Sequence, residues 1–251
     1  MNVRTILAPN PGPYTLEGTR SYVIGDEAII DPGPAIGTHV KALLAAAPNV
    51  TKIFITHRHP DHAPGAEQVR EATGAAIYAP PGVQPQPDHV LRDGQTVALA
   101  AGSIEAIATP GHTGEHFCFL TADRELFTGD TILGDGTTTI FPPDGDMAAY
   151  IASLRKLRGR EPRIIYPGHG RIREDAVPLI DAYIAHRIDR ERQVLDALAS
   201  GAADVNALRA RVYPDLHRAL LRAANLQIEA HLAKLAKEGR VRQTGAIWER
   251  A

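Results

Sequence analysis

One cysteine, one tryptophan and two methionines among 251 residues, with aromatics at only 5%, leave this chain poor in several kinds of chemistry. The lone Cys118 excludes an intrachain disulfide and fits a reducing cytosol. No run approaches the roughly 18 to 20 uninterrupted apolar residues that a membrane span needs. The first twenty residues, MNVRTILAPNPGPYTLEGTR, hold neither a long apolar core nor a small-residue cleavage site, so the expectation is a soluble cytoplasmic protein with no membrane partner. Neither sign of charge dominates: 27 Lys and Arg stand against 29 Asp and Glu, which gives no global nucleic-acid footprint. What remains, 44% hydrophobic and 22% charged, is the profile of an ordinary globular chain, enough for one large domain or a medium domain with an appendage.

The chain changes texture near residue 177. Before it, short β-like runs alternate with Gly/Pro punctuation. RSYVIGDEAIIDPGP reads as two strands around a GD turn, and TKIFIT as a short strand buried on both faces. HVKALLAAAP, PGAEQVREATG and DMAAYIASLRKLRG read as helices, the last capped by Asp146 and stopped at Gly159. AAIYAP, QTVALA, SIEAIATPG, HFCFLTADRELFTGD and RIIYPGHG supply further strands, each running into a polar loop. This mixture predicts a layered α/β or α+β domain over residues 1–177. From 178 to 251 the pattern is helical, closing with RVRQTGAIWERA, a small β-ribbon around Gly245; helices followed by a ribbon suggest a winged-helix-like C-terminal domain.

Histidine is what the chain does have, and it is unevenly placed. ITHRHPDHAPG, residues 55–65, packs His57, His59, Asp61 and His62 directly after an apolar strand. In an extended chain side chains alternate, so His57 and His59 share a face. Asp61 and His62 follow in the turn, where neighbours diverge toward a second centre. Four donors are too few for two ions. The others stand further on, each beside glycine after an apolar run: His112 in TPGHTGEH, Asp130 in FTGDTIL and His169 in IIYPGHG. Five imidazoles and two carboxylates make a mixed N/O set suited to zinc, with manganese or iron as alternatives.

The order THxHxDH, then H, D and H, resembles the metallo-β-lactamase fold superfamily across residues 1–177. The resemblance implies an αββα sandwich with a dinuclear zinc site at one edge of its sheets. It implies that His57, His59 and His112 hold one metal, that Asp61, His62 and His169 hold the other, and that Asp130 bridges them. The segments PPDGDMAAYIASLRKL and HLAKLAKEGRV are similar to the lactamase-beta-2-like branch, related to glyoxalase II and RNase Z and including thioesterases, endoribonucleases and uncharacterised hydrolases. The chemistry implied is hydrolysis by a metal-bridging hydroxide. A small ester, thioester or lactone is the expected substrate, and single-stranded RNA the alternative. The tail from residue 178 has twelve Lys/Arg against nine interspersed Asp/Glu and few aromatics, which favours the small substrate. A mono-iron persulfide dioxygenase and a non-enzymatic winged-helix regulator with a structural metal are the remoter alternatives.

Several neighbours carry expectations of their own. Asp31, in IIDPGP, is placed to orient a ligand imidazole. His116 is either a proton donor to the leaving group or a structural histidine at a strand start. Thr56 anchors the ligand loop, and Arg58, turned away between two ligands, makes a rim or scaffold salt bridge. GDGTTTIFPPDGD overhangs the site, which brings Thr137, Thr138 and Thr139 near substrate. Arg20 stands in GTRSYVIG where relatives often read GTNTYLVG, and a tryptophan common in the GDGTTT loop is missing; both mark a changed pocket edge. His39, His89, His186, His217 and His231 fall outside the ligand pattern. The tail either covers the site mouth or packs against a second copy of the chain as a homodimer.

Overall fold

The computed structural model describes residues 1–100 and 102–251. Strands β1 (Val3–Leu7), β2 (Arg20–Ile24), β3 (Ala28–Ile30), β4 (Lys52–Phe54), β5 (Ala76–Ala79) and β6 (His89–Val90) form one sheet in that order. A second sheet runs β11-β10-β9-β8-β7, from β7 (Gln95–Leu99), β8 (Gly102–Ala108), β9 (Phe117–Thr121), β10 (Glu125–Gly129) and β11 (Ile164–Pro167). Helices α1 (Gly37–Ala46) and α2 (Gly65–Thr73) cross between β3, β4 and β5, which are parallel to one another. Helix α3 (Met147–Arg158) leads from β10 to its parallel neighbour β11.

Period-two alternation sorts these strands into layers. Val23, Ile29 and Ile53 face α1 and α2 in one apolar core, whereas Tyr22, Ile30 and Phe54 face the second sheet in another. On β9, Phe117 and Phe119 fill the inter-sheet core, and Cys118 and Leu120 pack toward α3. The order helix, sheet, sheet, helix is the expected four-layer sandwich. The ligand-bearing loops leave from the C-terminal ends of β4, β8, β10 and β11, which brings distant segments to one edge.

Helix α4 (Ala176–Ala199) belongs to two cores. Its first half, through Ile180 and Tyr183, joins the core around α3, while Val194, Leu195 and Leu198 join a C-terminal core. That second core is completed by α5 (Val205–Val212), α6 (Leu221–Lys237) and the hairpin β12 (Val241–Thr244)–β13 (Ile247–Arg250), which turns at Gly245 with φ of +60°. Asp146 and Asp204 cap α3 and α5 through main-chain amides at 2.8–3.0 Å and 2.8 Å. The helical pattern starting at Pro214 predicts a longer α6 than is found: a short 3-10 turn, Arg218–Leu220, intervenes before Leu221. Among the described residues no helix is long and apolar enough to cross a membrane.

Candidate metal centre

The strand expected to reach Thr56 ends at Phe54, so His57 and His59 project from an irregular loop. They still meet. His57 Nε2 and His59 Nδ1 lie 2.9 Å apart, and His112 Nε2 is 3.1 Å from His59 Nδ1. Asp130 Oδ2 faces this group at 3.5 Å from His112 and 3.9 Å from His57. Beside it, Nε2 of His62 and of His169 are 3.3 Å apart and stand 3.3 and 3.1 Å from Asp61 Oδ2. Asp130 Oδ1 lies 3.3 Å from both of these ring nitrogens. All seven sequence candidates therefore gather in two adjoining sets, with one Asp130 oxygen turned to each.

The donor set fits divalent metal. Two nitrogens at 2.0–2.1 Å from a tetrahedral zinc stand roughly 3.3 Å apart, the spacing seen within each set. Ring nitrogens facing one another need a cation between their lone pairs, and the buried Asp130 Oδ1 has no hydrogen bond of its own. The remote nitrogens of four of the five rings have hydrogen-bond partners elsewhere. His112 Nδ1 donates to the Thr139 carbonyl at 2.9 Å and His169 Nδ1 to the Gly18 carbonyl at 3.3 Å. His62 Nδ1 donates to Asp31 Oδ2 at 2.8 Å. The Thr56 hydroxyl donates to the same Asp31 oxygen at 2.7 Å and so accepts from His57 Nδ1 at 2.9 Å. Each arrangement leaves Nε2 as the nitrogen that faces the site and would ligate a metal.

Electrostatics separate the two sets. Burial, reinforced by neighbouring imidazoles, holds His57 well below the usual histidine range and His59 at about 4. Burial also opposes charge at His62 and His169, but the facing carboxylates Asp61 and Asp130 outweigh it. Without a metal they raise His62 well above its ordinary value and His169 to about 9. Burial penalises the Asp61 carboxylate too, yet its imidazole neighbours keep it below the usual range.

The remaining expectations divide. Asp31 anchors the ligand loop as well as His62: its Oδ1 accepts the Thr56 amide at 2.8 Å, and its own φ is +48°. Arg58 turns outward to Glu115 and, at 2.6 Å, to Asp144. His116 is fully buried and stacked on His57 at 4.8 Å. Its Nε2 accepts the Asp130 amide at 3.3 Å, and its Nδ1 faces the hydroxyls of Thr109 (3.0 Å) and Thr131 (3.1 Å). Both nitrogens are engaged below the site and His116 is not among the pocket-lining residues, an arrangement that matches the structural reading of the two expected. Arg20 ties Glu17 to the Gly170 carbonyl just outside the pocket lining.

Thr137, Thr138 and Thr139 do line a cavity of about 590 Å³ over the metal-ligand sets. Its other walls were not legible in the sequence. Tyr14 and Leu16 come from the loop before β2, and Tyr14 meets Phe141 edge-on at 6.3 Å. Arg222 and Leu226 come from α6, so the helical tail borders the site mouth. Asp135 at the rim is paired with Arg171 at 3.0 Å, whereas Arg222 has no ion pair among the described residues. Of the unassigned histidines, His39 bonds Ser21 at 2.9 Å, His89 stacks on Tyr78 at 4.4 Å, and His231 is fully buried in α6.

Comparison with known proteins agrees with this geometry. The family model for the metallo-beta-lactamase superfamily matches residues 14–87 and 79–169, and the beta-lactamase associated winged helix domain matches 205–248. The chain is 36% identical to the beta-lactamase-like protein 2 homolog of Caenorhabditis elegans, over 94% of this chain and 85% of that one. It is 38% identical to the atrochrysone carboxyl ACP thioesterase of Aspergillus fumigatus, over 77% of this chain and 64% of that one. A metallo-beta-lactamase family protein from Thermus thermophilus shares the fold at a TM-score of 0.83 and 21% identity, over 99% of this chain and 98% of that one. Sequence and fold together place the chain in the metallo-beta-lactamase superfamily, as a metal-dependent hydrolase with a winged-helix domain at its C-terminal side.

Proposed function

We propose that the chain is a dinuclear zinc thioesterase acting on small acyl thioesters. The observation that carries this reading is Asp130, whose two oxygens face two separate ligand sets at the floor of one cavity. Bound divalent ions supply a water activated for attack near neutral pH and an electrophile for the acyl oxygen. His57, His59 and His112 would hold one ion; Asp61, His62 and His169 the other; Asp130 would join both. Asp31 acts at one remove by fixing the rings of His57 and His62. Thr19, itself held by Asn10 at 2.9 Å, keeps Asp61 turned inward through a 3.0 Å hydrogen bond.

The cavity favours a thioester over an alkyl ester or RNA. Leu16, Leu133, Phe141 and Leu226 offer an apolar wall for an acyl group and exclude water there. Among the described residues the imidazoles that line the pocket are all in the ligand sets. A leaving group of low basicity suits such a site, and a thiolate, with a conjugate acid near ~8.5, departs without a proton far more readily than an alkoxide. Arg222 at the mouth is placed to meet an anionic group on that thiol. The thioesterase name of the Aspergillus relative points the same way.

The test is side-by-side turnover of acyl thioesters, matched oxygen esters and single-stranded RNA, with metal analysis of the same preparation. Two zinc ions per chain and thioester turnover well above the rest are expected. RNA cleavage far above thioester turnover, lost in Asp61→Ala, would overturn the substrate assignment. One iron per chain would overturn the dizinc assignment.

A further inference from the structure

Arg187 lies midway along α4 and is 3% exposed. A buried cation is costly unless a carboxylate answers it. Among the described residues none does: Glu191, one turn on, is taken by Lys234 at 2.5 Å and Arg240 at 2.8 Å. Two of the guanidinium nitrogens go to main chain and amide, while the buried Nε has no hydrogen-bond partner. Its Nη2 donates to the Thr138 carbonyl, its Nη1 to Gln227 Oε1 at 3.0 Å, and its central carbon sits 5.3 Å from the ring centre of Tyr150. Gln227, on α6, donates in turn to the Ile140 carbonyl at 3.2 Å. Two helices of the C-terminal part thus grip the main chain at residues 138 and 140.

Between those two grips lies the Thr139 carbonyl, which accepts from His112 Nδ1. The Thr138 hydroxyl reaches the carbonyls of Asp130 at 3.0 Å and Thr131 at 3.1 Å. The gripped segment therefore touches His112 of one ligand set and Asp130, which faces both. The other set is tied to Gly18, Thr19 and Asp31, none of which Arg187 contacts.

We propose that Arg187 is a positioning residue of the metal centre. By holding Thr138–Ile140 from α4 it fixes the His112 ring and the Asp130 main chain, and so sets how tightly the His57–His59–His112–Asp130 group binds its ion. This rests on the two-metal reading above. The buried cation is thereby given a use: it holds the Thr138 carbonyl of a loop that borders the site.

The test uses cobalt(II) added to metal-free full-length protein, read by visible absorption and by chelator competition. The wild type is expected to take up two ions. Arg187→Met should weaken one of the two by about 10- to 100-fold, the range for residues that orient a metal ligand, and alter that ion's absorption bands. The other ion should be affected less, because Arg187 reaches its ligands through Asp130 alone. Arg187→Lys, which keeps one donor to the Thr138 carbonyl, should recover part of the loss. Gln227→Ala should shift the same step less, and these two variants carry the comparison if Arg187→Met does not fold. Folded variants that load both ions with wild-type affinity and spectrum overturn the proposal. A wild type that takes up no cobalt overturns the two-metal reading itself, and the proposal with it.

Discussion

Asp31 is the residue through which both ligand sets share a support. One carboxylate receives the Thr56 amide, the Thr56 hydroxyl and the His62 ring, and through Thr56 it governs His57. Asn tolerates the left-handed backbone found here, so Asp31→Asn changes the chemistry without adding strain. Its amide nitrogen must face at least one donor. Apparent zinc affinity is expected to fall about 10- to 100-fold, measured against a chromogenic chelator, with the fold retained by circular dichroism. Asp31 was legible in the sequence because it follows a strand beside a turn, at the edge where the ligands gather. The depth of His116 was not legible: four residues from His112, it lies below the site because β9 begins at the next residue and draws it into the core.

At the scale of elements, the site depends on how closely β10 and β11 let their loops approach. A Cβ on Gly168 would lie 2.6 Å from His62 Cε1 and 2.8 Å from Asp130 Oδ1. Gly168→Ala should therefore push a ligand ring and the shared carboxylate apart, at a cost of about 1–3 kcal/mol of overpacking. Loss of most bound metal is expected by elemental analysis, together with a modest drop in melting temperature. The ligand loops themselves were readable because each follows a β-like run, and His112, Asp130 and His169 each stand beside a glycine. The early end of β4 was not, since Ile55 and Thr56 continue the β-branched pattern while the Thr56 amide bonds the Asp31 side chain instead of a neighbouring strand. The start of α6 was misplaced for a related reason: apolar periodicity continues through a 3-10 turn, which only hydrogen bonding distinguishes.

Across the whole molecule, pH reads the balance between protons and metal. Without metal, His62 and His169 have folded pKa values above the unfolded ~6.5, so their stabilisation is full below that pH and declines above it, for His169 as pH rises through about 9. His57 and His59 shift the other way, so their burial penalises the fold as pH falls from 6.5 toward 4. Metal-free protein should melt highest near pH 6.5 and lose several degrees by pH 9. Protein in excess zinc should instead gain stability over that interval, as binding becomes free of proton competition. Scanning calorimetry on both forms checks this, and parallel curves would refute it. The cavity gives a second whole-molecule expectation: Arg222→Glu should raise KM for coenzyme A thioesters about tenfold while leaving a neutral thioester of the same acyl group unchanged. Neither Arg222 nor Arg187 could be assigned from the sequence, because helical periodicity marks which face is covered without naming what covers it.

The 24 residues of α4 extend through both cores, a girder roughly 36 Å long. A helix shared by two cores ties the C-terminal part to the sandwich, so the α6 residues at the cavity are a built wall rather than a detachable lid. Among the cavity's walls, the Tyr14 loop carries an exposed aromatic and lies outside that girder.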